Sequence, residues 1–171
     1  MDKNLTGKQL VDQGIITGTI NPDNIAQHGV DLNVNTVQKI SGIGRIPKEG
    51  KTRLVIYDDV KVNIPDSGNP FWYLEPGAYN VEFDQGCKVP KDKMLFIRQR
   101  SSAARNGTFL HSSIFDAGFE TKKIGTMIIV IHPIEIEVGA RIAQIYAHNS
   151  NEVENLYDGQ FKNDEWRNKK G

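Results

Sequence analysis

A chain of 171 residues is long enough for one domain with a buried core and too short for two of ordinary size. Its 38% hydrophobic and 25% charged residues suit a soluble globular protein, and its 21 basic and 21 acidic residues cancel, so no overall field draws in nucleic acid or a membrane surface. The single cysteine, Cys87, excludes an internal disulfide and cysteine-rich zinc sites, including the paired cysteines of zinc deaminases. No apolar run approaches the roughly 20 residues of a membrane span. The opening MDKNLTGKQL lacks the apolar stretch of a secretory signal, so the expected compartment is the cytoplasm.

In chain order, LTGKQLVDQGII places Leu5, Leu10, Val11, Ile15 and Ile16 at mixed spacings of three and four, with Thr6 as N-cap and Gly14 near the end. That pattern predicts one short helix over about 6–13. The remainder predicts strands. VDLNVNTVQKI and TRLVIYDDVKVNI alternate, and GTMIIVIHPIEIEV is rich in β-branched residues. Turn residues recur in IPDSGNP, EPGAY, FDQGCKVPKD, ARNG and EVGA. The expected fold class is mainly β, a compact sandwich or barrel formed as a single unit over 1–171. The polar end, YDGQFKNDEWRNKKG, reads either as a frayed tail or as a lid over a ligand from residue 157 onward.

The chemistry-bearing residues gather in FIRQRSSAARNGTFLHSSIFDAGFE, residues 96–120. Arg98 and Arg100 differ by two and share a strand face. Ser101, Ser102 and Arg105 follow with hydroxyls, backbone N–H groups and another guanidinium, a set that suits phosphate oxygens but also an ordinary solvated turn. Asp116 lies among apolar neighbours in IFDAGF. Beside a bound nucleotide it has the chemistry to take a proton from water, and it equally suits an aspartate opening the turn before Gly118. Phe119 suits either a sugar contact or the core. In VGARIAQIYAH, Gln144 both donates and accepts, whereas Arg141 reads better as a structural ion pair. His28, His111, His132 and His148 show no metal-ligand spacing. A G-x-S-x-G elbow and a G-x-x-x-x-G-K-[ST] loop are both lacking.

Read together, these stretches resemble the superfamily of trimeric dUTP diphosphatases and dCTP deaminases. AQHGVDLNV (26–34) resembles the first motif, with Val30 where the family usually has tyrosine. LEPGAYNVEFDQGCKVPKDKMLFIRQRSS resembles the run leading to the phosphate site, IFDAGFE the third motif and VGARIAQI the fourth. The helical opening LTGKQLVDQGII is closer to the deaminase branch. The resemblance covers about residues 5–162. It implies a distorted β-barrel or jelly-roll-like subunit in a homotrimer with active sites at subunit interfaces. It assigns Arg100, Ser101, Ser102, Arg105 and Gln144 to phosphate. His111, Ser112, Ile114, Phe115 and Phe119, in the hairpin 110–119, go to base and sugar, and Asp31 becomes a supporting acid. Mg2+ is expected on the triphosphate rather than in a protein cage. YDGQFK resembles the deaminase ending with Gln160 and Lys162 in swapped order, which makes Lys162 a further phosphate cation. The glycine-rich fifth motif of diphosphatases is not recognisable.

The two branches differ in one acid. The deaminase pattern has a glutamate about ten residues beyond the third-motif aspartate, to move protons at the cytosine ring. Counting from Asp116 reaches Thr126; allowing four extra residues in the turn ETKKIG reaches Val130. Neither transfers protons near neutral pH. The expected activity is therefore hydrolysis of dUTP to dUMP and pyrophosphate, with Asp116 polarising the attacking water. The alternative is a dCTP deaminase, also able to be bifunctional, that uses an acid such as Glu120. A third reading is a nucleotide-binding module without turnover.

Overall fold

The computed structural model describes residues 4–162 and Asp164. Of the tail considered as a lid, Asn163 and residues 165–171 therefore lie outside the described residues.

The first helix, α1 (Gly7–Asp12), forms where the capping residues dictate. The Gln9 N–H donates to Thr6 Oγ1 at 3.3 Å, and the Thr6 N–H donates back to Gln9 Oε1 at 2.9 Å, a reciprocal capping box. Gly14 ends it with φ +65, a left-handed turn that costs glycine little. Leu10 is fully buried and Val11 packs half-buried beside the same core, which anchors the helix against the barrel.

Strands then follow: β1 (Ile16–Gly18), β2 (Val30–Ser41), β3 (Ile56–Asp59), β4 (Phe71–Leu74), β5 (Gly77–Phe83), β6 (Gln85–Lys88) and β7 (Lys93–Gln99). After the short helix α2 (Ser101–Arg105) come β8 (Thr108–Leu110), β9 (Ile114–Phe115), β10 (Glu120–Thr121), β11 (Gly125–Val130), β12 (Ile134–Glu137) and β13 (Arg141–Asn149). An eight-stranded antiparallel sheet runs β8-β11-β5-β2-β13-β7-β9, with β3 added on β2, and curls into a half-barrel of the expected class. Smaller sheets, β1-β6-β10 and β12-β4, complete the walls.

Strand β2 organises the curl. Its first part, Val30–Asn33, pairs with β13; Val34–Lys39 pairs with β5; Gln38–Ser41 pairs with β3. An irregular register between Val34 and Thr36 bends the strand as it changes partners. Val30, Leu32, Val34 and Val37 all face the core with Val81, Phe83, Leu95, Ile97, Ile128 and Ile145. The alternation in TRLVIYDDVKVNI overestimates its strand, because only 56–59 forms one; its flanks make isolated bridges, Arg53 to Arg45 in a long arm and Asn63 to Phe71.

Cys87 lies in the core at 1% exposure, and burial pushes its thiol up to about 12, with the Asp164 and Glu120 carboxylates adding to the effect. Among the described residues no helix is long and apolar enough to cross a membrane.

Candidate active site

Two groups of functional side chains emerge, at opposite ends of β7. The first is built on Asp31, whose side chain is 7% exposed. Register on the β2–β13 ladder sets Asp31 opposite Gln144, and Gln144 Nε2 donates to Asp31 Oδ1 at 3.0 Å. Arg100, which caps α2, places Nε 3.3 Å from Asp31 Oδ2, and Arg141 Nη1 lies 3.7 Å from the same oxygen. Arg100 Nη1 also donates to the Arg141 carbonyl at 3.2 Å. One buried carboxylate thus gathers two guanidiniums and an amide, donors that all suit phosphate oxygens. Arg141 also donates to the Asp23 carbonyl, which makes it a brace as its sequence setting implied.

Behind this group lies a buried amide network. Asn24 donates to the Asp31 carbonyl at 2.8 Å, and Gln85, wholly buried, accepts from the Asn33 N–H at 2.8 Å. These bonds fix the backbone of the first motif at Asp31 and Asn33.

Ser101 and Ser102 open α2 at its exposed face, while Ala103 is buried and seats the turn. Thr108 Oγ1 donates to the Ala103 carbonyl at 2.8 Å, locking α2 against β8. Arg105 is exposed at the far end of α2. Arg98, though two residues from Arg100, has a different partner: its Nη1 donates to Ser112 Oγ at 3.1 Å.

The second group surrounds Asp116. It lines a cleft of about 500 Å³ with Ile114, Phe115, Phe119, Lys123, Thr126 and Met127 from the third-motif hairpin. Ile40, Val55 and Tyr57 from β2 and the arm, and Tyr157 and Phe161 from the tail, close the other walls. The turn holding Asp116 is set by Gly118 at φ +86, and the Phe119 N–H donates to the Asp116 carbonyl at 3.0 Å. The turn reading of this aspartate is met, since its backbone opens a turn, and its exposed side chain lines the cleft. Phe115 and Phe119 pack with centroids 5.3 Å apart, and Phe119 meets Tyr157 edge-on at 5.4 Å.

The base-and-sugar residues divide. Ile114, Phe115 and Phe119 line this cleft; His111 and Ser112 do not. The His111 backbone instead holds the hairpin, its N–H donating to the Met127 carbonyl at 2.9 Å and its carbonyl accepting from Thr126 Oγ1 at 2.8 Å.

Tail residues 157–162 pack against this cleft. The Tyr157 N–H donates to the Ala117 carbonyl at 2.8 Å, and the Gln160 amide makes two bonds to the backbone of Thr52, at 3.0 and 3.1 Å. Lys162 faces Asp158 at 3.6 Å. Composition gave no sign of this docking, because its polar partners are supplied by an arm more than a hundred residues away.

An adjoining cleft of about 270 Å³ shares Asp116 and Tyr157 and contains Lys91 and Lys93. Both lysines carry an acid: Lys91 sits 2.8 Å from Glu152 and Lys93 the same distance from Asp92. The hydrogen bond to Glu152 raises the Lys91 ammonium above its ordinary value, and that from Lys93 lowers the Asp92 carboxyl.

Three features bear on the chemistry. Among the described residues Asp116 is the sole carboxylate lining the larger cleft. Glu120 points elsewhere, 3.8 Å from Lys88, and Val130 is buried at the far end of β11. Among the described residues no three of His, Cys, Asp and Glu converge as metal ligands.

The two groups do not meet within one chain. The β7–β9 register sets Leu95 opposite Phe115 and thus Asp116 near Met94, with which it shares the smaller cleft. Arg100 lies six residues further along, roughly 20 Å at strand rise. Beside them the sheet exposes apolar side chains on one face, with Phe109 at 65%, Ile129 at 43% and Ile131 at 66% exposure, and Phe109 and Ile129 are paired.

A sequence profile described as dCTP deaminase-like matches residues 3–149. A Halobacterium salinarum protein named "Probable deoxyuridine 5'-triphosphate nucleotidohydrolase" is 34% identical over 145 residues, covering 83% of this chain and 85% of that one. A protein of Acidianus ambivalens named "dCTP deaminase" is 29% identical over 158 residues, covering 91% and 88%. In shape, the crystal structure of 2'-deoxycytidine 5'-triphosphate deaminase from Agrobacterium tumefaciens is similar, with TM-score 0.65 and 18% identity. That likeness covers 84% of this chain and 47% of the bacterial protein, about half its length.

Proposed function

The chain belongs to the dCTP deaminase-like family, and from that premise we propose that it hydrolyses dUTP to dUMP and pyrophosphate. The observation that carries this choice within the family is that Asp116 is the one carboxylate the described residues place in the aromatic cleft. Asp116 suffices to accept a proton from a water attacking the α-phosphorus. Deamination needs a second acid over the base, and the described residues of the cleft lining supply none. The relative named as a dUTP nucleotidohydrolase supports the same reading.

Arg100, Gln144, Ser101, Ser102 and Arg105 are the groups that would meet the charge spreading onto phosphate oxygens. A general base works at hydrogen-bond reach, about 2.6–3.2 Å, directly or through one water. Asp116 and Arg100 of one chain are too far apart to serve one α-phosphorus. The reading therefore takes the active site as composite, Asp116 from one copy facing Arg100 of another, in a homotrimer. The exposed apolar face of β8 and β11 is a surface for such an assembly. A magnesium ion, bound through the triphosphate and water, would neutralise phosphate charge; the residues present fit that arrangement and not a protein cage. Tail residues 157–162 serve as a lid over the base and sugar, with Lys162 as a further phosphate cation. In this reading the whole chain 1–171 acts as a single unit in the cytoplasm.

The test is Asp116→Asn assayed for pyrophosphate release from dUTP with magnesium. Turnover is expected to fall roughly a hundredfold to ten-thousandfold, with nucleotide affinity retained. Undiminished turnover removes Asp116 from the chemistry. Ammonia released from dCTP by the wild type would instead establish the deaminase reading, which the similarity to the Acidianus ambivalens protein favours.

A further inference from the structure

One side chain ties the arm between β2 and β3, residues 42–55, to the body of the protein. Within the arm the Arg45 and Arg53 backbones bond each other twice, at 2.9 and 3.0 Å. Its apolar residues give little anchorage, since Ile43 and Ile46 stand 82% and 89% exposed. Among the described residues, the only hydrogen bonds that join the arm to the rest of the chain are the two made by Gln160. Its Oε1 accepts from the Thr52 N–H at 3.1 Å and its Nε2 donates to the Thr52 carbonyl at 3.0 Å. One side-chain amide thus satisfies both backbone groups of Thr52, as a neighbouring strand would.

The tail that carries Gln160 has anchors of its own. The Tyr157 N–H donates to the Ala117 carbonyl at 2.8 Å, and the Lys122 N–H donates to Asp164 Oδ2 at 2.7 Å. Gln160 lies between these two ties, so the tail is the post and the arm is what it holds. Both carry walls of the larger cleft: Val55 ends the arm and Tyr57 follows it in β3, while Tyr157 and Phe161 stand on either side of Gln160 in the tail. A segment with few hydrogen bonds and little apolar burial opens locally at small cost. Loss of the Gln160 amide therefore frees the arm and its end of the cleft wall. The turn of Asp116 stays, because Gly118 and the bond from the Phe119 N–H to the Asp116 carbonyl set it independently.

Resting on the lid reading of the tail above, we propose that Gln160 is a positioning residue that ties the arm to the tail and so fixes the width of the slot for base and sugar. The arm thereby becomes part of the substrate-binding machinery, and the duty of Gln160 is to a backbone rather than to a phosphate.

The test is hydrogen–deuterium exchange of the full chain, read on arm and β2 peptides, with calorimetric dUMP binding and steady-state dUTP hydrolysis, in wild type, Gln160→Ala and Gln160→Glu. In Gln160→Ala the arm amides should exchange about tenfold faster or more, the range for two neutral hydrogen bonds lost, with β2 exchange unchanged. Affinity for dUMP should fall and KM for dUTP should rise by a similar factor, with kcat kept, the pattern of lost uniform binding. Gln160→Glu keeps the acceptor for the Thr52 N–H and should fall between wild type and Gln160→Ala. Were the amide bound to the triphosphate instead, Gln160→Ala would leave arm exchange unchanged and Gln160→Glu would be the more harmful variant. Either of those results, faster exchange throughout the chain rather than in the arm, or a kcat that falls with unchanged KM would overturn the proposal. If wild type releases no pyrophosphate from dUTP, yet Gln160→Ala frees the arm and weakens dUMP binding, the hydrolase reading fails and the positioning assignment stands.

Discussion

Replacing Asp31 by Asn tests whether one buried charge organises the phosphate side of the site. The substitution keeps the shape and removes the charge that two guanidiniums and the Gln144 amide face. Both guanidiniums can only donate, so the new NH2 group has no acceptor except a flipped Gln144 amide, and the guanidiniums face a neutral oxygen in place of a charge. Breaking a buried ion pair by deleting one partner costs about 3–5 kcal/mol. Here the Arg100 and Arg141 side chains are 33% and 35% exposed, so water re-solvates part of their charge. We expect about 2–3 kcal/mol, below that range once solvent screening is counted. In a chain of this length each kcal/mol shifts Tm by about 2–4 °C, so thermal unfolding should occur about 5–10 °C lower. The melts must be compared at equal protomer concentration, because assembly itself raises Tm. Pyrophosphate affinity should fall in the same variant, since Arg100 and Gln144 lose the group that aims them. A Tm within about 1 °C of wild type would show that the guanidiniums keep their place without the carboxylate, and the reasoning would be refuted.

Two further outcomes are expected. Asp116→Asn and Arg100→Met, each inactive by itself, should recover part of the dUTP turnover when unfolded together and refolded as a mixture, because some interfaces then combine an intact aspartate with an intact arginine; a mixture that stays inactive argues against the composite site. Cys87 should resist a thiol reagent at pH 8 in the native protein and react once denatured. The folded thiol keeps its proton until about 12, against an ordinary value of 9.0, so above pH 9 the unfolded state sheds a proton that the folded state retains. Stability therefore falls as pH rises through that window, and Cys87→Ala should flatten the slope measured by urea unfolding.

Local chemistry was legible in the sequence wherever it decides local structure. Thr6 announces the helix whose capping box it forms with Gln9, Gly118 marks the turn that exposes Asp116, and the alternation of VDLNVNTVQKI yields β2 because each inward valine is needed by the core. Motif order also pointed to the family, since Arg100, Asp31 and Gln144 each sit in a recognisable short stretch. Tertiary structure alone decided which of these groups share a site. The β2–β13 register brings Gln144 to Asp31 across 113 residues, and β7 holds Arg100 and Asp116 apart by its own length. Lys123, Tyr157 and Phe161 enter the cleft through a long turn and a tail whose sequences look like ordinary polar connections, and Tyr57 reaches it from β3. Periodicity reports which face of a segment is buried, a property of neighbouring residues. Which segments meet is fixed by strand pairing between residues far apart in the chain, and composition holds no record of that.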